Sequence, residues 1–169
     1  MSEKERDQKG RLLLSLGLEG YRNVRAADRH LTDKINNMIA VDATAISVLL
    51  GAAYFLLERR LFSPTVFWLI GPAVLLLLAS FMVGIIGYRP LPFQFMNPMD
   101  LIRELHQDDK TYGYAVRRSA GTISAIVEVN ISIVNGKARV IKWMLGLVLG
   151  AFAWTAVSVL FIFTHFVEP

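Results

Sequence analysis

The sequence predicts an all-α integral membrane helical bundle with three transmembrane helices. Apolar residues make up 54% of the 169 residues and charged residues only 19%, with a mean hydropathy of +0.44. A soluble domain usually carries about 25% charged residues. The few charges are concentrated before residue 38 and between residues 89 and 142. This distribution excludes a disordered tail protein and does not fit a water-soluble globule.

Three nearly uncharged stretches are the predicted membrane spans, at about residues 38–57, 65–87 and 143–164. Each approaches or exceeds the roughly 20 residues that a helix needs to cross about 30 Å of hydrocarbon. The first stretch begins too deep in the chain for a cleavable signal peptide. Its one acidic residue, Asp42, lies close enough to the span's start to reach the membrane interface.

The cationic residues predict the orientation of these spans. Eight Lys and Arg precede the first span and eight lie in residues 89–142, whereas the loop between the first two spans carries two. Cytoplasmic segments carry such an excess. We therefore expect a multi-pass protein of the inner (cytoplasmic) membrane, with the N-terminus in the cytoplasm and the C-terminus outside.

The remaining segments follow from local signals. Residues 1–20 are expected to be flexible, and residues 21–169 to form a single helical membrane domain. The prolines within residues 89–97 indicate an irregular linker. Asn97 and Pro98 suit the start of a short helix. This helix opens a cytoplasmic helical segment over about residues 98–142.

Two long helices carry seams in which residues recur at alternating spacings of 3 and 4. The first seam comprises Tyr21, Val24, Asp28, Leu31, Ile35, Met38, Asp42, Ala45 and Leu49. The second comprises Ala120, Ile123, Val127, Asn130, Val134, Lys137, Ile141 and Met144. Each seam runs into a membrane span, so the first and third helices should extend into the cytoplasm as long parallel helices. The β-branched residues between 123 and 134 also fit a strand, but the spacing favours a helix.

Four polar residues interrupt these seams and are candidate interhelical contacts: Asp28, Asp42, Asn130 and Lys137. Aligning the two helices at their membrane boundaries brings Asp28 level with Asn130. Buried polar residues at such positions set register and oligomeric state. The alternative is that these positions simply face solvent.

Asp42 allows two further interpretations, because an ionisable residue within a span is a functional candidate by default. It could pair with a cation at a similar depth on the parallel helix, where Lys137, Arg139 and Lys142 are expected. It could instead line a water path or gate, since Thr44 and Ser47 continue one polar side of the span.

Two groups of residues near the third span suggest contacts with helices and lipid. Gly146 and Gly150 are four residues apart, a spacing that lets membrane helices approach closely. Arg139 and Lys142 stand beside Trp143, which suits a lipid headgroup anchor. Glycine enrichment in membrane helices would also explain the first group.

Candidate ligand residues are few. Lys110, Arg117 and Arg118 could hold a phosphate group, although a solvated helix face near anionic lipid is the simpler explanation. Cysteine is absent, the three histidines are scattered, and no catalytic constellation is visible, so we expect no metal site, no cofactor and no enzyme. The net charge of +4 is too small to indicate nucleic acid as a partner.

Three short motifs carry a resemblance that covers about residues 22–164. The first span opens with Val41-Asp42-Ala43-Thr44-Ala45, and the second ends in Tyr88-Arg89-Pro90. The third span is preceded by the segment VNISIVNGKARVIKW, which includes Asn130, Asn135 and Lys137. In this arrangement the chain resembles the transmembrane effector family of Pycsar anti-phage systems, and more remotely the pore-type effectors of bacterial nucleotide-signalling defence.

The resemblance implies a bacterial or archaeal inner-membrane protein that is silent until a cyclic nucleotide activates it. Such a protein would act as a homo-oligomer and impair the lipid bilayer. The alternative from a different class is a non-conducting membrane scaffold whose cytoplasmic helices recruit a soluble partner. An intramembrane enzyme lacks polar groups at the required depth.

Overall fold

Three α-helices account for almost all of the described chain. The computed structural model describes residues 3–58, 64–89 and 112–166. Helix α1 comprises Glu3–Glu58, α2 Pro64–Tyr88 and α3 Tyr112–Phe166. These ranges contain no strand, which confirms the all-α class and the helical interpretation of residues 123–134. The predicted linker beyond Arg89 and the short helix after Pro98 lie outside the described residues.

Each helix contains a stretch that is long and apolar enough to cross a membrane. These stretches are Gln8–Phe55 in α1, Phe67–Tyr88 in α2 and Val116–Phe161 in α3. The stretches in α1 and α3 are more than twice the roughly 20 residues that one crossing requires. The architecture is therefore compatible with a multi-pass membrane protein in which α1 and α3 extend well beyond a bilayer.

The N-terminal boundary of α1 differs from the sequence-based expectation. Helix α1 begins at Glu3, so residues 3–20 are helical where a flexible segment was expected. Gly10 is buried and Leu14 and Gly17 are half-buried, at spacings of 4 and 3 that continue the predicted seam backwards from Tyr21. The glycines obscured this continuation because they lower helix propensity.

The chain also divides into two compact units, whereas the sequence predicted one domain after residue 20. Unit 1 contains the described residues 3–31 and 112–136, and unit 2 contains residues 32–89 and 137–166.

In unit 1, α1 and α3 run parallel and pack closely at glycines of α1. A Cβ atom built on Gly10 would lie 3.1 Å from Val116 Cγ1, and one built on Gly17 would lie 3.0 Å from Ile123 Cγ2. Residue numbers rise together along both helices with an offset of 106, which confirms the parallel pairing. The alignment that placed Asp28 level with Asn130 corresponds to an offset of 102. The observed register differs from it by about one helical turn.

In unit 2, α2 runs antiparallel to α3. Gly87 lies against Val140, Gly84 against Met144, and Gly150 against Leu76, so residue numbers fall along α2 as they rise along α3. The buried apolar side chains of this unit are Ile35, Ala73, Leu77, Met144 and Ala151. Small residues of α2 thus face bulky residues of the neighbouring helices.

The predicted seams are the buried faces of α1 and α3. All nine seam residues of α1 and all eight of α3 are buried or half-buried. Along α3, every seventh residue from Val116 is buried: Val116, Ile123, Asn130, Lys137, Met144, Ala151 and Ser158. A strict seven-residue repeat of this kind is the mark of coiled-coil packing. Three of these seven residues are polar.

Candidate functional site: buried polar contacts of unit 2

The most completely buried polar contact in unit 2 joins α1 to α2. Asp42 and Ser80 are both 0% exposed. Ser80 Oγ donates a hydrogen bond of 2.7 Å to Asp42 Oδ2 and lies 3.4 Å from the main-chain oxygen of Met144 on α3. The shorter distance is typical of a hydroxyl bound to a carboxylate. The pair therefore lies where all three helices meet.

The second carboxylate oxygen of Asp42 lacks a donor. Asp42 Oδ1 is buried and has no hydrogen-bond partner within the described ranges. Burial of a polar group without a partner costs free energy, and a carboxylate costs most. Burial of Asp42 therefore destabilises the core. A costly group that is nevertheless present suggests a function, which makes Asp42 the strongest functional candidate among the described residues.

A second polar contact joins α3 to α1. Lys137 is only 8% exposed, and its Nζ donates a 2.9 Å hydrogen bond to Thr32 Oγ1. Lys137 is one heptad before Met144 on the same buried row, so this contact and the Asp42–Ser80 contact occupy successive heptads of α3.

A third contact converges on one main-chain oxygen of α2. The Leu69 carbonyl accepts a 2.9 Å hydrogen bond from Trp154 Nε1 and a 3.1 Å hydrogen bond from Ser158 Oγ. Both donors lie on α3, one helical turn apart. Main-chain acceptors carry no signature in the sequence, so this contact could not be predicted.

The structure gives Asp42 a partner that neither interpretation named. The hydrogen bond of Asp42 comes from Ser80 on α2, whereas Lys137 donates a hydrogen bond to Thr32. Thr44 Oγ1 and Ser47 Oγ donate to carbonyls of their own helix, so they do not extend the buried contact.

The other two candidate seam residues lie in unit 1. Asn130 is fully buried and Asp28 is half-buried. Both make polar contacts. The four candidate residues are thus shared between the units rather than gathered at one site.

Close packing within unit 2 uses different glycines from those singled out in the sequence. A Cβ atom on Gly84 would lie 2.6 Å from Met144 Cε and 2.8 Å from Ile39 Cγ1, and one on Gly87 would clash with Val140. Gly146 has no such neighbour within 4 Å, and Gly150 has an ordinary contact with Leu76. The face that bears Gly146 is open in the single chain.

The predicted lipid anchor lies on the outside of α3. Arg139, Lys142 and Trp143 are exposed, Trp143 by 66%. The two cations make no hydrogen bond or ion pair with any residue in the described ranges. They are thus available to an external partner.

The proposed phosphate-binding residues are only partly described. Arg117 and Arg118 lie on exposed positions of α3 in unit 1, and both already have polar or electrostatic contacts. Lys110 lies outside the described residues. No group of three or more potential metal ligands occurs in the part of the chain that the structure describes.

Comparison with known protein families, curated proteins and solved structures found no match to this chain.

Proposed function

We propose that this chain is an inner-membrane effector that impairs the integrity of the bilayer as a homo-oligomer, in response to a signal received by unit 1. The observation that carries the proposal is the Asp42–Ser80 contact, with its buried and unpartnered carboxylate oxygen. A chain that only anchors a partner needs no such group, because small residues and neutral hydroxyl groups can hold membrane helices together without burying an ionisable side chain.

Polar residues of the buried row on α3 support the same proposal. Buried ionisable residues inside membrane spans, such as Asp42, commonly mark paths for ions or water. On α3, Lys137 precedes the predicted third span and Ser158 lies within it, on either side of Met144, the level of the Asp42–Ser80 contact. A rearrangement of α3 against its neighbours would expose these groups together, and hydrated polar groups would then lower the barrier to ions.

The test is ion leakage from liposomes that contain the purified full-length protein, with and without each of a panel of cyclic mononucleotides. We expect leakage with at least one of them, and loss of leakage in Asp42→Ala. Ser47→Ala is the matched control, because Ser47 is exposed and bonds only its own helix. Absence of leakage under every condition, together with no depolarisation of cells on induced expression, would refute the effector function.

A nucleotide second messenger is the signal we favour, with its phosphate near Arg117 and Arg118 of unit 1. Arginine binds phosphate through paired hydrogen bonds. We expect Arg117→Glu with Arg118→Glu to abolish nucleotide-dependent leakage. Arg22→Glu on α1, also exposed, is the control for charge reversal. Equal nucleotide-dependent leakage in both variants would exclude Arg117 and Arg118 as the residues that bind the phosphate.

The proposed orientation has its own test. The chain contains no cysteine, so single cysteines report unambiguously on access. We expect a membrane-impermeant thiol reagent added to intact cells to label Thr164→Cys and not Ser15→Cys. The opposite pattern would place the N-terminus outside.

A membrane scaffold is the second candidate, and one observation favours it. Leu12, Leu13 and Leu16 of unit 1 are 59%, 45% and 56% exposed. Neighbouring exposed leucines form the kind of apolar patch that a soluble partner covers. If the native protein causes no ion leakage, and Leu12→Gln with Leu16→Gln releases a co-purifying protein, recruitment of that partner is the function of this patch.

A further inference from the structure

The first two turns of α2 are packed very differently from the rest of that helix. No described side chain from Phe67 to Pro72 is buried. From Ala73 onwards one side of the helix is buried, with Ala73, Leu77 and Ser80 at 1%, 4% and 0% exposure, whereas the other side stays exposed. The change in packing coincides with Pro72, the only proline in the interior of α2.

Proline at this position weakens the helix locally. Pro72 has no N–H group to bond the Trp68 carbonyl, and its ring crowds that carbonyl, so the backbone bends most easily at this point. The residues before Pro72 are therefore connected to the later part of α2, which has a buried face, by a weakened helical turn.

Little holds this segment to α1. An apolar groove runs between the two helices along the segment and just past Pro72. Its lining on α1 is Leu50 and Ala53, and its lining on α2 is Phe67, Trp68, Ile70, Gly71, Pro72, Val74 and Leu75. A Cβ atom on Gly71 would meet nothing within 4 Å. Because the groove offers room and few contacts, α1 does not fix the position of the segment.

The hydrogen bonds from α3 do fix it. The Leu69 carbonyl, three residues before Pro72, accepts from both Trp154 Nε1 and Ser158 Oγ. Two donors from one rigid helix on a single acceptor hold that acceptor against translation and rotation. In an apolar surrounding, breaking both bonds leaves two donors without partners, which opposes spontaneous opening.

We propose that residues 64–71 form a hinged segment that pivots at Pro72 and is latched to α3 by Trp154 and Ser158. The segment is eight residues and about 12 Å long. A swing of about 20°, the size of an ordinary proline kink, would move its start by about 4 Å and Phe67 by about 3 Å. The apolar groove beside α1 is the space into which it would move.

Distance measurements between two spin labels test the latch in the full-length protein in lipid nanodiscs. The reporting pair is Phe67→Cys with Leu160→Cys, which lie at the same level of the antiparallel helices α2 and α3, and the control pair is Ile85→Cys with Leu145→Cys; all four positions are exposed. We expect Trp154→Phe with Ser158→Ala to shift or broaden the Phe67–Leu160 distances by up to about 3 Å. The Ile85–Leu145 distances should stay unchanged.

The hinge itself is tested by adding Pro72→Ala to the latch variant, which restores the missing N–H group. We expect the Phe67–Leu160 distances to return to those of the native protein. Unchanged distances in the latch variant would overturn the latch, and failure of Pro72→Ala to restore them would overturn the hinge. Broadening of both pairs would show general loosening and also overturn the proposal. These readouts do not depend on ion leakage, so the proposed effector function stands or falls separately.

Discussion

Replacing Ser80 by alanine removes the one donor that the structure provides to the buried carboxylate of Asp42. Because Asp42 Oδ1 already lacks a partner, the variant leaves the whole carboxyl group without a hydrogen bond from the described residues. Hydrogen bonds to charged groups contribute about 1.5–3 kcal/mol in soluble proteins, whereas those between membrane helices average about 0.6 and reach about 1.7 kcal/mol. We expect a loss of about 1–2 kcal/mol, near the upper end for membranes, since no second donor replaces the first.

The assay is reversible unfolding of α-helical structure in mixed micelles with increasing denaturing detergent. Ser80→Ala should lower the free energy of unfolding by the stated amount, and Ser47→Ala should change it by less than about 0.5 kcal/mol. In an Asp42→Ala background, Ser80→Ala should cost much less, because its acceptor is gone. Equal costs in the two backgrounds would show that the contact contributes no stability, and the reasoning from burial would fail.

Three further predictions concern packing, each measured by the same unfolding assay. Gly84→Ala should destabilise unit 2 by about 1–3 kcal/mol through overpacking against Met144. Gly146→Ala should not, because a Cβ atom there has no neighbour within 4 Å. Equal effects of the two substitutions would contradict the close approach of Met144 to Gly84. Gly17→Ala should be destabilising in unit 1, because its Cβ would lie 3.0 Å from a stiff β-branched side chain. The exposed Gly121→Ala should be neutral or stabilising, and a reversed order would refute the α1–α3 contact. Met144→Ala should cost about 2–5 kcal/mol through the cavity it leaves, and a cost below about 1 kcal/mol would contradict its complete burial.

Periodicity explains which parts of the fold the sequence predicts well. The 3/4 spacing of α1 and α3 correctly identified their buried faces, including Asn130 and Lys137, because burial of one stripe on a helix requires that spacing. Helix α2 has no polar face to distinguish from an apolar one, since it is apolar on every side. Its rotation, and hence the partnership of Ser80 with Asp42, could not be derived.

The other contacts that the sequence did not predict were hidden for distinct physical reasons. Gly84 and Gly87 gave no signal because a glycine that admits a neighbouring side chain looks the same in sequence as one that loosens a helix end. Gly10 and Gly17 did carry a signal, a spacing of seven in phase with the seam of α1, but their low helix propensity concealed it. The Leu69 acceptor is a main-chain atom and has no residue type to reveal it.

The seven-residue repeat of buried positions in α3 has a consequence for the winding of that helix in unit 2. From Lys137 to Ser158 the buried row spans three heptads. A straight helix drifts by about 20° per heptad, which amounts to about 60° over this length, so this part of α3 must wind left-handedly to keep the row on one side. Insertion of one residue directly after Met144 would turn Ala151 and Ser158 by about 100° and bring both to the surface. Insertion of seven residues would nearly restore their angular positions.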